Sequence, residues 1–374
     1  MIYLDYNATT PVAPEVAAAM QPFLGPEFGN PSCDYPLGLR AREAMRQARR
    51  EVAALLNCAP DEVVFTSGAT EANNLVLKGV AFSRGRGRII TALTEHPAVL
   101  NPCLFLDSLG FKLTILPVDA QGLVDPEAVL RALTADTIMI SIMHSNNETG
   151  ALAPIKDIAA IAREAGVPLH TDAAQSVGKV KVDVEELGVD FLTVAGHKFY
   201  APKGVGALFM RRGRELTPLL HGASQEGGHR AGTENLPYIA ALGEACRLAK
   251  QRQAADAAHL RGLRDLLHKK LRAGFPGLVL NGPEAERLPS TLNVSFPGLA
   301  GCDLMAGVPE VAASLGSACH AGRETVSPVL AAMGISAVVA RGAVRFSVGR
   351  PTTREDIEKA AELVLKQAHV LARK

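Results

Sequence analysis

Nowhere in this 374-residue sequence do two cysteines stand at C-x-x-C spacing, although it carries six, at Cys33, Cys58, Cys103, Cys246, Cys302 and Cys319. Zinc knuckles and thioredoxin-type redox pairs need that spacing, so neither is indicated and no metal site is expected. Most of these thiols are expected to be free and packed as small hydrophobes. A surplus of either charge is also missing. Lys and Arg number 39 against 38 Asp and Glu, a formal net charge of +1, which removes any global pull toward nucleic acid or an anionic membrane. The one local basic run, Arg84-Gly-Arg-Gly-Arg88, sits between a helix-like stretch and the strand-like Ile89-Ile90 and reads as a solvated turn. No apolar run approaches the length of a membrane-spanning helix. At the N-terminus, Asp5 falls where a secretory signal needs uninterrupted apolar residues, so a cytoplasmic location with no membrane partner is expected. Walker and G-x-G-x-x-G sequences are absent too, which argues against ATP and NAD.

What is present is an alternation of short apolar runs and helical patterns. Hydrophobic residues make up 48% of the chain, enough for a large core. Val63–Phe65, Arg88–Thr91, Lys112–Leu116, Thr137–Met143, Val167–His170, Asp190–Val194 and Gly204–Met210 have the length and composition of buried strands. Helical patterns lie between several of them, one running from Ile155 to Ala165 and stopping at Gly166. Strand and helix in succession predict an α/β fold with a mostly parallel, seven-stranded sheet covered by helices on both faces. A long helix from about Tyr238 to Ala273 then changes the character of the chain and can bridge two units. Beyond it, Thr291–Phe296 and Ala343–Val348 alternate like half-buried strands, and Arg354–Lys374 reads as an amphipathic helix after Thr352-Thr353. A smaller α+β C-terminal unit follows from this pattern.

Three short segments bear chemistry. Gly196-His-Lys198 follows a buried strand, and a lysine at the carboxyl end of a parallel strand lies where open α/β sheets build their sites. Desolvation there lowers its pKa and makes the amine a nucleophile toward aldehydes. Taken alone, such a lysine is more often solvated surface. His170-Thr-Asp-Ala-Ala-Gln175 also ends a strand. Its Asp172 can pair with a protonated pyridine nitrogen and Gln175 can bond a ring oxygen, whereas the plainer role for Asp172 is a helix cap. Thr66-Ser-Gly-Ala-Thr70 opens a helix and offers backbone N–H groups, a hydroxyl and a helix dipole to a phosphate. The three can grip the aldehyde carbon, ring nitrogen and phosphate of one cofactor, pyridoxal 5'-phosphate.

Motifs running nearly end to end make a more specific likeness. Leu4-Asp-Tyr-Asn-Ala-Thr-Thr-Pro11, Phe28-Gly-Asn-Pro-Ser32, Thr66–Glu71, Thr94-Glu-His96, Asn146-Asn-Glu-Thr-Gly150, His170–Ser176, Gly196–Lys198, Arg230-Ala-Gly-Thr-Glu-Asn235, Gly316-Ser-Ala-Cys319 and Arg345-Phe-Ser-Val-Gly-Arg350 occur in this order. The chain resembles the fold-type-I pyridoxal-phosphate enzymes of the class V aminotransferase group, and within it the cysteine desulfurases of the NifS/IscS type. The resemblance implies a large cofactor-binding domain at residues 16–255. It puts residues 1–15 and 256–374 in a small domain that carries the catalytic cysteine loop. It implies that Lys198 is the covalent cofactor anchor and moves the substrate's α-proton. Asp172 holds the pyridinium and Gln175 the ring oxygen. Ala69, Thr70 and His197 bind phosphate, with Thr233 arriving from the partner of a homodimer. His96 stacks on the ring and assists proton transfer, while Asn147 and Arg345 orient the substrate. Without the likeness, His96 reads as a surface-loop histidine and Arg345 as half of a surface ion pair. Cys319 takes sulfur from L-cysteine as a persulfide, leaving L-alanine, and passes it to a sulfur-acceptor protein for iron–sulfur cluster assembly or thiolation. Its small neighbours Gly316, Ser317, Ala318 and Gly322 suit a loop that reaches the cofactor and swings out.

The likeness is not complete. The family usually has a serine two residues before His197, and here that position is Ala195; one hydrogen bond to a charged group is worth about 1.5–3 kcal/mol. Ala223 and Ser224 replace glycines in His221–Arg230. The continuation from His320 to Leu330, and Val182–Asp190, also resemble selenocysteine lyases, which act on L-selenocysteine. The alternatives are therefore such a lyase and, in another class, a non-catalytic sulfur-relay partner with this fold. A cysteine hydrolase lacks any oxyanion or triad context.

Overall fold

The computed structural model describes residues 1–315, 317–320 and 323–373, with side chains described for all of these except 317–320 and 323–325. Seven strands form the main sheet: β1 (Val63–Thr66), β2 (Arg88–Ala92), β3 (Lys112–Leu116), β4 (Thr137–Ser141), β5 (Leu169–Asp172), β6 (Phe191–Ala195) and β7 (Gly206–Met210). Their order is β1-β7-β6-β5-β4-β2-β3. β7 runs antiparallel to both neighbours and every other pair is parallel, so six carboxyl ends share one edge. Strand residues alternate between two apolar cores. Phe65, Ile90, Val194 and Phe209 enter one, and Val64, Ile89, Phe191 and Leu208 the other, as a pleat covered on both faces requires.

The seven strands foreseen are all there, with shifted ends. β4 stops at Ser141 rather than Met143, because the chain there turns into the Asn146–Gly150 loop. β5 begins two residues late, at Leu169, and runs on to Asp172. β7 begins at Gly206, after a turn in which Gly204 has φ +92°. At Gly206 a Cβ would lie 2.5 Å from the Val194 carbonyl and 2.8 Å from Gly68 Cα. That close approach brings the start of β7 against the turn after β1.

Two long helices tie the molecule together. α1 (Pro36–Leu56) starts on a proline and ends on Asn57 in the left-handed region, both suited to helix ends. The sequence reading had no helix there, because its buried face is mostly small: Gly38, Ala41, Ala48 and Ala53. α1 packs on α5 (Leu236–Gly274), where Gly243 meets Ala48 so closely that a Cβ would lie 2.6 Å from Ala48 Cα. α5 has 39 residues and spans about 58 Å at 1.5 Å per residue. Ile239, Leu242 and Cys246 of its first half join the main core. Leu260, Leu263, Leu267 and Leu271 of its second half join a separate core with Leu4, so the helix bridges the two as expected.

That second core lies under an antiparallel sheet of β8 (Val279–Leu280), β9 (Thr291–Ser295), β10 (Ser314–Leu315) and β11 (Ala343–Ser347), in the order β10-β11-β9-β8. Leu292, Val294, Val344 and Phe346 face it, together with the helix Arg354–Ala372. A reciprocal Thr353–Asp356 capping box opens that helix. The other face of the sheet is buried and polar: Thr291, Asn293, Arg345 and Ser347. This face is turned to the edge where the main strands end. Ser317–His320 and Arg323–Val326 pair antiparallel. Among the described residues, no helix is long and apolar enough to cross a membrane.

Candidate active site

A cleft of about 580 Å³ opens at the carboxyl edge of the main sheet, and its walls come from five strand ends and the small sheet. Ser67–Glu71 follow β1, His96 follows β2, and Met143, Ser145 and Asn147 follow β4. Asp172 ends β5 and Ala174 and Gln175 follow it, and His197 and Lys198 follow β6. Arg345 projects from β11 across the gap. Of the residues singled out in the sequence, Ala69, Thr70, His96, Asn147, Asp172, Gln175, His197, Lys198 and Arg345 thus meet in one place. Thr233 does not: it is exposed and absent from the walls of its own chain's cleft. The Cys319 side chain lies outside the described residues.

Lys198 sits in a short 3-10 turn, Gly196–Lys198. Its Nζ donates to the carbonyls of Asn7 at 2.6 Å and Ala8 at 2.9 Å, and no carboxylate bonds it among the described residues. Burial disfavours the ammonium, and the Arg345 guanidinium adds repulsion that Asp5 and Asp172 only partly offset, so its pKa falls to about 8. Near neutral pH this leaves a useful fraction of nucleophilic amine.

Asp172 is held at both oxygens. Asn73 Nδ2 donates to Oδ2 at 2.7 Å and the Ala174 N–H to Oδ1 at 2.9 Å. The second contact is the local cap that the sequence allowed. Asn73, fully buried on the helix α2 (Ala69–Arg84), keeps its Oδ1 without a partner among the described residues. Beneath, His170 bonds Ser141 and Thr193, and burial drives its pKa to about 3, so it is a neutral core group.

The N-terminus of α2 faces the cleft. Gly68, its N-cap, gives no side-chain cap, and a Cβ there would meet open space. The first-turn N–H groups at Ala69, Thr70 and Glu71 have no intrahelical acceptors, and the helix dipole favours an anion beside them. His197 bonds Thr9 Oγ1 through Nδ1 at 3.1 Å. Burial, then Lys198, Lys203 and Lys179, lower its pKa to about 4, so it reaches the cleft as a neutral ring. His96 caps Pro97–Ser108 by accepting the Ala98 N–H at Nδ1, which places its proton on Nε2. Burial is the main cause of its lowered pKa, with Asp172 opposing and Lys198 reinforcing.

Arg345 is already engaged. Nη2 donates to Asp5 Oδ1 and Ser314 Oγ, both at 2.8 Å, and Nη1 to the Asn147 carbonyl at 2.9 Å. Four of these neighbours went unremarked as site residues in the sequence: Asp5, Asn7, Asn73 and Lys179. Asn7 is the hub, since its carbonyl also accepts from Gln175 Nε2 at 2.9 Å and its Oδ1 from Lys179 at 3.1 Å. Leu4–Pro11 marks this segment as part of the likeness, but nothing local reveals that its Asn7 and Ala8 line the cleft. Of the described cysteines, Cys103 and Cys246 are buried as expected, whereas Cys33, Cys58 and Cys302 are half-buried.

The donor set fits pyridoxal phosphate. An uncapped helix N-terminus suits its phosphate, a carboxylate braced on two sides suits its pyridinium, and a desolvated amine suits its aldehyde, all in one cleft. Position 195 offers no hydroxyl to the cleft, whereas the α2 terminus with Ser67 and Thr70, His197 and Lys203 line it.

These features define a fold-type-I α/β enzyme site, with a reactive lysine and an anion cradle at the carboxyl edge of the sheet. The chain belongs to the aminotransferase class-V family, which it matches over residues 2–360. It is 45% identical over 367 residues to the cysteine desulfurase IscS of Dictyoglomus turgidum (strain DSM 6724 / Z-1310), covering 97% of this chain and 93% of that protein. To the mitochondrial cysteine desulfurase of Arabidopsis thaliana it is 43% identical over 375 residues, 99% of this chain and 83% of that one. A solved NifS-like protein superposes with a TM-score of 0.91 at 35% identity, over 100% of both chains.

Proposed function

We propose that this chain is a pyridoxal-phosphate-dependent cysteine desulfurase, converting L-cysteine to L-alanine and leaving the sulfur as a persulfide on Cys319. The observation that carries the reading is the convergence of Lys198, Asp172 and the α2 N-terminus on one cleft, in a chain whose desulfurase relatives align nearly end to end. Bound pyridoxal phosphate supplies an aldehyde that captures amines and an electron sink for charge developing at the substrate's α-carbon.

The chain's own residues do the rest. Ala69 and Thr70 N–H groups and His197 hold the phosphate. Asp172, braced by Asn73, keeps a proton on the ring nitrogen, and Gln175 donates to the ring oxygen. Lys198, with its amine free when substrate is bound, would be the base that moves the α-proton. His96, whose proton lies on Nε2, would pack beside the ring and assist that transfer. Asn147 and Arg345 orient the substrate, Arg345 through its carboxylate. The Cys319 thiolate attacks the substrate sulfur: the Cβ–S bond breaks, an S–S bond forms, and Cβ takes a proton. A sulfur-acceptor protein of iron–sulfur assembly or thiolation then receives the sulfur.

Thr233, exposed and away from its own cleft, serves the partner's phosphate site in a homodimer. The separation of the small sheet's apolar core from those of the main sheet supports the division into residues 16–255 and residues 1–15 with 256–374, since Val16 lies in a main-sheet core and Leu4 in the other.

Purified protein given pyridoxal phosphate and L-cysteine is expected to develop a visible absorption band, release alanine and gain one sulfur on Cys319. No band and no alanine would reject the reading. Arg345→Lys loses the planar fork that matches a carboxylate. The KM for L-cysteine is then expected to rise about tenfold, the equivalent of about 1.4 kcal/mol, with a smaller change in kcat, both read from initial rates of alanine release.

A further inference from the structure

Lys179 is only 7% exposed, and its amine lies inside the protein against two residues of the cleft wall, Asn7 and Gln175. Nζ donates to Gln175 Oε1 at 2.9 Å and to Asn7 Oδ1 at 3.1 Å. Among the described residues no carboxylate pairs with it. A buried ammonium lacking a counter-ion is costly, and burial, then repulsion from Lys198 and Arg345, hold this amine well below the usual lysine range. The sequence gives the position no chemical mark, and the reaction outlined above does not use it.

Its contacts nevertheless settle the orientation of two amides. An amine that meets a side-chain amide as donor must face the oxygen and not the NH₂ group. Gln175 therefore turns Oε1 to Lys179 and Nε2 the other way, onto the Asn7 carbonyl at 2.9 Å. Asn7 turns Oδ1 to Lys179 and Nδ2 to Thr291 Oγ1 at 2.8 Å and the Asn147 carbonyl at 3.2 Å. The same Asn7 carbonyl accepts from Lys198 Nζ at 2.6 Å. Gln175 Nε2 and the Lys198 amine thus converge on one oxygen, both as donors. A flipped Gln175 would set oxygen against oxygen there.

We propose that Lys179 is a positioning residue that locks Gln175 as a hydrogen-bond donor toward the cofactor's ring oxygen, beside the Lys198 amine. The proposal rests on the desulfurase reading, through its cofactor, and adds a residue that acts on the cofactor without touching it.

The test is the pH titration of the visible band of the protein loaded with pyridoxal phosphate. The band changes as the linkage at Lys198 loses a proton. That loss leaves negative charge on the ring oxygen, which a donating Gln175 stabilises, so the donor lowers the midpoint. Lys179→Met removes the donor that holds Oε1 and leaves the amide oriented from the Asn7 carbonyl side alone, so the midpoint is expected to rise, by at most about one pH unit, the size of one net hydrogen bond to a charge. Lys179→Gln keeps a donor but with a shorter reach, and about half that rise is expected. Asp5 and Asp172, the carboxylates acting on Lys198, remain in every variant. In a Gln175→Ala background both shifts should vanish, because there is no amide left to orient. If Lys179→Met fails to fold, Lys179→Gln carries the same cycle. Equal shifts with and without Gln175 would mean that Lys179 acts by charge alone and would overturn the proposal, as would an unmoved midpoint in a folded variant. A parent protein with no visible band would overturn the cofactor reading itself, and this inference with it.

Discussion

Cys319→Ala is expected to stop alanine release from L-cysteine almost completely, by on the order of a thousandfold or more, while leaving the cofactor's visible band unchanged. The two halves of that result come from different parts of the chain. In the proposed reading cofactor capture depends on Lys198, Asp172 and the α2 N-terminus, which lie in one cleft and include no cysteine. Sulfur removal needs a second thiolate, because forming alanine leaves the bonding pair with Cβ and the departing sulfur, two electrons short, must be taken by a nucleophile. Alanine release would be measured with the persulfide content of the parent, where mass spectrometry should find one added sulfur on the peptide containing Cys319. Release that survives the substitution would remove the persulfide step. Cys58 and Cys103 are not equipped to replace it. Burial raises the Cys58 and Cys103 pKa values to about 12, which keeps both as inert thiols.

Lys198→Ala is expected to abolish covalent capture of the cofactor and to lower alanine release by about a thousandfold or more, since both the anchor and the α-proton base are lost. Binding itself should persist in weakened, non-covalent form, because the phosphate cradle at Ala69 and Thr70 and the Asn73–Asp172 pair do not depend on Lys198. Dialysis should strip the cofactor from the variant and not from the parent. Circular dichroism of the variant should match the parent, since the amine bonds only two loop carbonyls. A variant that retains its cofactor through dialysis and borohydride treatment would place the anchor on another residue.

The central elements were legible because they are local. Each strand of the main sheet is a short apolar run bounded by turn residues, and the three chemical segments stand directly after strand ends. What could not be read from the letters is of two kinds. α1 hides because its inner face is alanine and glycine against Gly243, so packing depends on closeness rather than on a strong hydrophobic stripe. The supporting groups hide because they meet only in space. Asn7, Asn73, Asp5 and Lys179 look like ordinary surface polar residues in the sequence, and their contacts span up to 340 positions, as between Asp5 and Arg345. Strand ends moved by one or two residues where a turn competes with the ladder, as at Ser141 and Gly206. Thr233, expected to serve a partner's cleft, is exposed and lies outside the walls of its own.

The account rests on a desolvated amine at residue 198, and the pH dependence of its capture of pyridoxal phosphate tests that most directly. Cofactor-free protein would be mixed with pyridoxal phosphate across a pH series, the adduct fixed with borohydride, and the labelled lysine located by peptide mass mapping. Because the pKa of Lys198 is depressed to about 8, the reactive neutral amine is scarce below that pH and predominates above it. Initial capture should therefore rise with a midpoint near 8, with the label on Lys198. A midpoint near that of an ordinary lysine, or a label on Lys203 or Lys179 instead, would contradict the account.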